Sequence, residues 1–267
     1  MPMDTPLSSE ADPTGIGDRE TVQSLSRGLA VIRAFGRDAP RMTLTEVAER
    51  TGMSRAAARR FLLTLVQEGY ATTDGKHFAL SPRVLDLGFA FLSSMDIWDV
   101  AQPIMQEVVR RTGESCSASV LDGAEVVYVA RVPASRIMTL GLSVGSRLPA
   151  FATSMGRVLL AALPPAGLDA FFAKTALTPL TGHTVFDEAA LRTLLDGVRT
   201  AGYALVDEEL EAGLRSIAVP VRNRQGQVMA AMNVSCHAVR TSIRQMTDDI
   251  LPALLDGAAA ISRAVAR

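Results

Sequence analysis

The sequence predicts an α+β protein in two parts, a small helical module closed by a β-hairpin and a larger domain of helices and strands around an antiparallel sheet. Three observations carry this. The stretch 43–69, TLTEVAERTGMSRAAARRFLLTLVQEG, holds two short helical patterns broken at Gly52. Asp74-Gly75 is a turn signal inside the polar and aromatic stretch 70–81. Farther on, SCSASVLDGAEVVYVARV, GLRSIAVPVRN and QVMAAMNVSC read as strands between helical segments. Helix, helix, tight turn, helix, hairpin is the order of a winged helix-turn-helix.

Each element has a local reason. Leu25, Leu29, Ile32 and Phe35 fall close to helical spacing, and Gly36 closes that helix. Thr43 with Glu46 three residues on is a capping-box pattern, with Leu44, Val47 and Ala48 as the buried stripe. Ser54 caps the next helix, expected to run to about Glu68. Helical patterns follow at 83–95, as a linker, and from near Ile97. SMGRVLLAAL, GLDAFFAKTAL and DEAALRTLLDGVRTAG are further helices, MTLGLSVGSRLPAF and YALVDEEL further strands, and a last helix is expected from about Met246 to Val265. The boundaries expected are a disordered tail at 1–20, the winged helix-turn-helix module at 21–82, the linker helix at 83–95 and a second domain at 96–267.

The chain has 267 residues, 48% of them hydrophobic, a mean hydropathy of +0.20 and a formal net charge of -1. No apolar run approaches the ~20 residues of a membrane span, and the polar, acidic N-terminus lacks the pattern of a signal peptide. Cys116 and Cys236 stand far apart with no CxxC and no histidine pair, which points to reduced thiols and a cytoplasmic setting, without metal or cofactor. The near-neutral total hides an asymmetry. Residues 19–83 carry 11 Lys+Arg against 6 Asp+Glu, a formal +5, whereas 84–267 carry 16 against 18, a formal -2. A basic module on a neutral body suits a polyanion partner for the module alone.

On the helix from Ser54, Ala58, Phe61, Leu62 and Leu65 share one face at helical spacing, which turns Arg55, Ala56, Arg59 and Arg60 outward. Small residues among arginines let a helix approach the major groove of double-stranded DNA closely, and arginine pairs with phosphate or bidentately with guanine. Lys76 and His77 at the hairpin tip are expected along the backbone or minor groove, and Arg41, Thr43 and Ser54 at helix starts on phosphate.

SLSRGLAVIRAF, the stretch 43–70 and the hairpin resemble the DNA-binding domain of IclR-family bacterial transcriptional regulators. RLPAFATSMGRVLLA, GYALVDEELEAGLRSIAVPV and AAMNVS resemble that family's effector-binding domain, most closely in the subgroup that controls β-ketoadipate, protocatechuate and 4-hydroxybenzoate catabolism (the PcaR, PcaU and PobR type). The resemblance implies a GAF-like effector-binding domain with a central antiparallel sheet, a small carboxylate or aromatic-acid effector, operator DNA, and a homodimer or tetramer. It places the effector at Ser154 and Met155, at Asp207 or its neighbour Val206, at Ser216, and at Asn233 and Ser235. Ser216 stands where some members carry Cys, and Val206 where one carries an acid. The strand alternation puts Asn233 and Ser235 on one face, and Ser154 opens a helix, where anions are favoured. A carboxylate also needs a cation, and Arg136, Arg147 and Arg215 are the candidates. Two other classes compete: an enzyme built on Cys116, His183, His237 and Asp207, whose spacing matches no catalytic motif, and a DNA-binding scaffold whose second domain only oligomerises.

Overall fold

The computed structural model describes residues 21–93, 97–134 and 141–265. The chain divides into two compact units, with the division between Phe91 and Leu92.

The first unit packs α1 (Gln23–Ala34), α2 (Leu44–Thr51) and α3 (Arg55–Gln67) beside a three-stranded sheet of order β1-β3-β2, formed by Met42–Thr43, His77–Leu80 and Ala71–Thr73. The capping box is present: the Thr43 hydroxyl accepts from the Glu46 amide, and the Thr43 amide donates to the Glu46 carboxylate at 2.7 Å. That backbone bond, followed by the Thr43 hydroxyl, holds the Glu46 carboxyl below its usual range. Gly52 ends α2 at φ +65°, a left-handed conformation that glycine adopts without a steric penalty. The Ser54 hydroxyl then accepts from the Ala57 amide to start α3.

The core joins Val31, Phe35, Met42, Val47, Ala58, Leu62 and Phe78. Ala58 and Leu62 are buried, and Phe61 and Leu65 are half-buried against the same cluster. On α1 the expected stripe is corrected. Leu25 and Leu29 are exposed and Ile32 is half-buried, whereas Phe35 of that stripe is buried as expected, together with Val31. The wing also gains a strand: β1 pairs with β3 through Met42↔Phe78 and Thr43↔His77, so the start of α2 is fastened to the hairpin. Arg83 ties the other end, donating to the Glu68 carbonyl at 2.8 Å and lying over the Tyr70 ring.

After a 3₁₀ turn at Pro82–Val84 comes α4 (Leu85–Ser93), apolar yet with Leu85, Leu87, Phe89 and Phe91 exposed.

The second unit is built on a six-stranded antiparallel sheet of order β6-β5-β4-β9-β8-β7. Its strands are β4 (Ser115–Asp122), β5 (Glu125–Val132), β6 (Arg147–Pro149), β7 (Ala204–Asp207), β8 (Leu214–Arg222) and β9 (Val228–His237). Only 147–149 of the strand expected at MTLGLSVGSRLPAF forms among its described residues. The helices are α5 (Ile97–Thr112), α6 (Ser154–Ala161), α7 (Pro165–Lys174), α8 (Glu188–Ala201), the short α9 (Ile243–Gln245) and α10 (Leu251–Val265). The last helix starts earlier than expected, because Ser242 and Gln245 form a capping box and a π turn at Met246–Ile250 carries α9 into α10.

Strand alternation sorts the sheet into two faces. Ile217, Val219, Met232, Val234, Cys116 and Cys236 pack against α5 and α10. Gly257 of α10 permits this packing, since a Cβ there would lie 2.8 Å from the Val108 side chain. Tyr128, Ala204, Ala218 and Ala231 face α6 and α8 instead. All eight residues of α6 are buried. Gly156 allows that, because a Cβ at this position would lie 2.0 Å from the Ala150 carbonyl oxygen.

Candidate functional site

Two surfaces bear on function, one in each unit. On α3, Arg55, Ala56, Arg59 and Arg60 are all exposed, as the helical spacing of the buried face requires. No carboxylate pairs with these arginines among the described residues, so the helix offers a row of free guanidinium groups. Asp74 organises the wing tip. One of its carboxylate oxygens accepts from the amides of His77 and Lys76, at 2.7 and 2.9 Å. Those amides, His77 first, pull its pKa far below the usual carboxylate range. The other oxygen accepts from the Arg41 guanidinium at 2.6 Å. Arg41 is thus held against the wing, beside exposed Lys76 and half-buried His77, and the Thr43 hydroxyl is taken up by the capping box. Arg27, which sequence reasoning passed over, borders a surface groove of about 420 Å³ with Ser26, Met53 and Ser54 at the start of α3.

In the second unit, a cavity of about 20 Å³ lies between the α6 face of the sheet and the segment 207–214. Ser216, Asn233 and Ser235 line it together, with Leu142, Leu148, Val206 and Leu210 as apolar walls. The strand registers set these residues in rows. Ser115, Ser235, Ser216 and Val206 stand side by side across four strands, and Arg131, Ser117, Asn233 and Ala218 form the row beside them. The Asn233 amide nitrogen donates to the Ser235 hydroxyl at 3.0 Å, and its carbonyl oxygen is buried without a partner among the described residues. The Ser154 hydroxyl is likewise buried and unpaired. Such orphans are rare because each costs desolvation without a compensating bond.

The other candidates fall elsewhere. Ser154 and Met155 are buried in α6, but the cavity is bordered by the two residues just before them, Ala152 and Thr153. Of the two alternatives on β7, Val206 reaches the cavity. Asp207 points to the opposite face and holds Arg215 bidentately at 2.6 and 2.8 Å. Arg215 is therefore neutralised, and it also donates to the Thr241 carbonyl. Arg147 is engaged on the surface by Glu125 and Asp122, which raise its pKa in that order. Arg136 lies outside the described residues.

The cation that does border the cavity is Arg131, which sequence reasoning missed. A β-bulge between Ala118 and Ser119 opposes Val129 to no partner, so Tyr128 and Arg131, three residues apart, reach the same face. Arg131 makes only a long 3.4 Å contact to the Ser117 hydroxyl, and no carboxylate pairs with it among the described residues. Burial pushes the Tyr128 hydroxyl beside it up to about 12.

The segment over the cavity is pinned from below. The buried Arg157 of α6 forms two bonds to the Glu209 carboxylate, at 2.7 and 2.5 Å, and a third to the Phe151 carbonyl at 3.0 Å. The Val185 amide completes the Glu209 shell at 2.9 Å. Glu208 adopts φ +56°, uncommon for a non-glycine residue, held by the Gly213 amide on its side chain and by the Thr181 hydroxyl on its carbonyl.

The residues of the rival enzyme reading are not assembled. Cys116 lies in the core on the α5–α10 face, whereas His183 and His237 are exposed.

Comparison with known proteins agrees with this division. Residues 24–75 match the IclR helix-turn-helix domain, and residues 89–263 match the C-terminal domain of bacterial IclR transcriptional regulators. The chain is 42% identical over 240 residues to the Pca regulon regulatory protein of Pseudomonas putida, covering 90% of this chain and 82% of that protein. A transcriptional regulator of Rhodococcus sp. RHA1 superposes with a TM-score of 0.83 at 49% identity, over 92% of this chain and 99% of that one. An IclR homolog from Microbacterium hydrocarbonoxydans, solved in complex with 4-hydroxybenzoate, superposes with a TM-score of 0.81 at 26% identity, over 91% of this chain and 98% of that one. A helix-turn-helix with a free arginine face, a sheet domain with a small polar-floored cavity and family matches over both parts lead to one conclusion: the chain belongs to the IclR family of bacterial transcriptional regulators.

Proposed function

We propose that this regulator binds operator DNA through α3 and senses a small organic acid in the cavity on the α6 face of the sheet. Arg55, Arg59 and Arg60 enter the major groove, with Ala56 leaving room for close approach, while Lys76 and His77 follow the backbone. Arg41, steadied by Asp74, serves phosphate beside them, and Ser54 and Thr43 present helix starts to the same strand.

The effector reading is carried by the carbonyl oxygen of Asn233, which has no partner among the described residues and is buried in a cavity that Leu142, Leu148, Val206 and Leu210 wall and Ser216, Ser235 and Arg131 also line. A bound molecule with a complementary group relieves it. Ser216 and Ser235 supply further polar contacts, and Ser154 and Met155 position the α6 end of the site. The 4-hydroxybenzoate carried by the Microbacterium homolog supports an aromatic acid as the class. The exposed apolar side chains of α4 need cover in water, and a second copy of the chain provides it, which also matches the two-fold symmetry of operators. The effector acts by favouring one arrangement of the paired DNA-binding units over another.

Fluorescence anisotropy with operator DNA and calorimetry with 4-hydroxybenzoate test the reading. Arg59→Ala loses operator affinity by roughly tenfold or more and keeps effector binding, whereas Ser216→Leu does the reverse. Unchanged operator affinity in Arg59→Ala rejects the groove assignment.

A further inference from the structure

At the end of β8 away from the effector cavity, the second unit carries an open groove of about 420 Å³. It lies between the end of α6, the last turn of α8 and the hairpin that joins β8 to β9. Ser216 at the cavity and Arg222 at the groove are six residues apart on β8, about 20 Å along an extended strand. The volume is that of a small-molecule site, and the groove is already open, unlike the cavity of about 20 Å³. Val158, Val198, Pro220 and Val228 give it apolar walls, and Gly202 and Gly226 border it without side chains. Its charged lining residues are Arg199 and Arg222, and no acid lines it. Backbone carbonyls fix both guanidinium groups. The Arg199 Nε donates to the Ala161 carbonyl at 2.9 Å, at the end of α6, and Arg222 donates to the Gly226 carbonyl across the hairpin turn at 2.9 Å. Asp196 offsets the charge of Arg199, whereas no carboxylate pairs with Arg222 among the described residues. Gln227, the remaining polar side chain of the lining, is engaged by Asn223 at 3.0 Å.

We propose that this groove is a second ligand site, separate from the effector cavity, and that it takes an organic anion with one acid group and an apolar body. The acid group, a carboxylate or a phosphate, receives charge-assisted bonds from the free N–H groups of Arg222 and from those of Arg199 that face outward. The body of the ligand lies against Val158, Val198, Pro220 and Val228. One uncompensated cation on a groove with no acid matches one acid group, and it repels a cationic ligand. The guanidinium groups need little ordering on binding, because the Ala161 and Gly226 carbonyls already hold them.

Isothermal titration of the full-length protein with octanoate, octyl phosphate and octanamide tests the assignment. At least one of the two anions binds about fivefold or more tightly than the uncharged amide, the scale of a charge-assisted contact in an open site. Whichever anion binds more tightly identifies the acid group that the site prefers. Arg222→Met, a change at an exposed position, brings anion and amide to equal affinity and leaves operator binding unaltered. Arg222→Glu reverses the preference, so that the amide binds more tightly than either anion, and this second variant decides the question if the methionine variant does not fold. Ser216→Leu, in the effector cavity, leaves the anion affinity as in the wild type. Persistence of the anion preference in both Arg222 variants overturns the proposal. So does failure of the wild type to bind either anion in the millimolar range. If Ser216→Leu removes anion binding while Arg222→Met keeps it, the anion enters the effector cavity instead, and the groove is no ligand site.

Discussion

Replacing Glu209 with alanine tests how the segment over the cavity is held. The Arg157 side chain is 3% exposed and that of Glu209 10%, so the pair is almost wholly shielded from water. In Glu209→Ala the guanidinium loses two of its three protein acceptors and keeps only the Phe151 carbonyl, and the Val185 amide loses its acceptor as well. Breaking a buried pair from one side costs about 3–5 kcal/mol, because the remaining charge is left uncompensated. For a unit of this size, 1 kcal/mol moves the melting temperature by about 2–4 °C, so the expected drop is about 6–20 °C. Circular dichroism melts of the full chain read this in the transition of the larger unit. Removing both partners with shape-matched residues, as in Arg157→Met with Glu209→Leu, recovers most of the loss, since apolar replacements of buried pairs are often neutral or better. A drop below about 2 °C in Glu209→Ala, or a double variant as unstable as the single one, refutes the view that the pair holds this segment by mutual neutralisation.

Two further expectations come from the packing. Gly156→Ala pushes a methyl group into the Ala150 carbonyl and should cost about 1–3 kcal/mol or more, with weaker effector binding, because the turn it displaces leads into Ala152 and Thr153 at the cavity; a melting temperature within a degree of wild type shows that α6 yields freely. The two thiols should resist thiol-specific reagents at pH 8 until the protein unfolds, since burial pushes Cys116 far up and raises Cys236 to about 12 from an ordinary 9.0. These raised values stabilise the fold fully below pH 9 and lose that contribution as the pH climbs from there toward 12, so melting temperatures should fall over that window, and fast labelling of the native protein contradicts the burial.

Local chemistry made the DNA-binding unit readable. The capping box at Thr43, the left-handed Gly52, the Ser54 cap and the Asp74-Gly75 turn each act within a few residues, so their sequence signals and their geometry coincide. The face of α1 was less legible. Periodicity runs one apolar stripe through Leu25, Leu29, Ile32 and Phe35, and only packing against the other elements decides that its Phe35 end is buried with Val31 while Leu25 and Leu29 stay exposed. In the second unit, the family resemblance pointed to Ser216, Asn233 and Ser235, and alternation fixes the common face of Asn233 and Ser235 once the strand is placed. Arg131 was not, because plain alternation sets it opposite Tyr128 and the bulge that reverses this is a property of the paired strands. The ionic partners of Asp207 and Arg147 were hidden for a similar reason. Arg147 finds its acids across a strand pair, and Asp207 finds Arg215 across another, contacts that no local spacing announces.

The cavity of about 20 Å³ is close to the room one water molecule needs and far short of an aromatic ring. Whatever enters must first do work against Leu210 and the pinned segment around Glu209, and its measured affinity is its intrinsic affinity multiplied by the fraction of molecules already open. The contacts decide which compound is recognised, but the stiffness of that segment decides at what concentration the response begins. Over evolution, sensitivity can therefore drift tenfold for each 1.4 kcal/mol of altered opening work while selectivity stays fixed, so the alarm level of the sensor is set by residues that never touch what it detects.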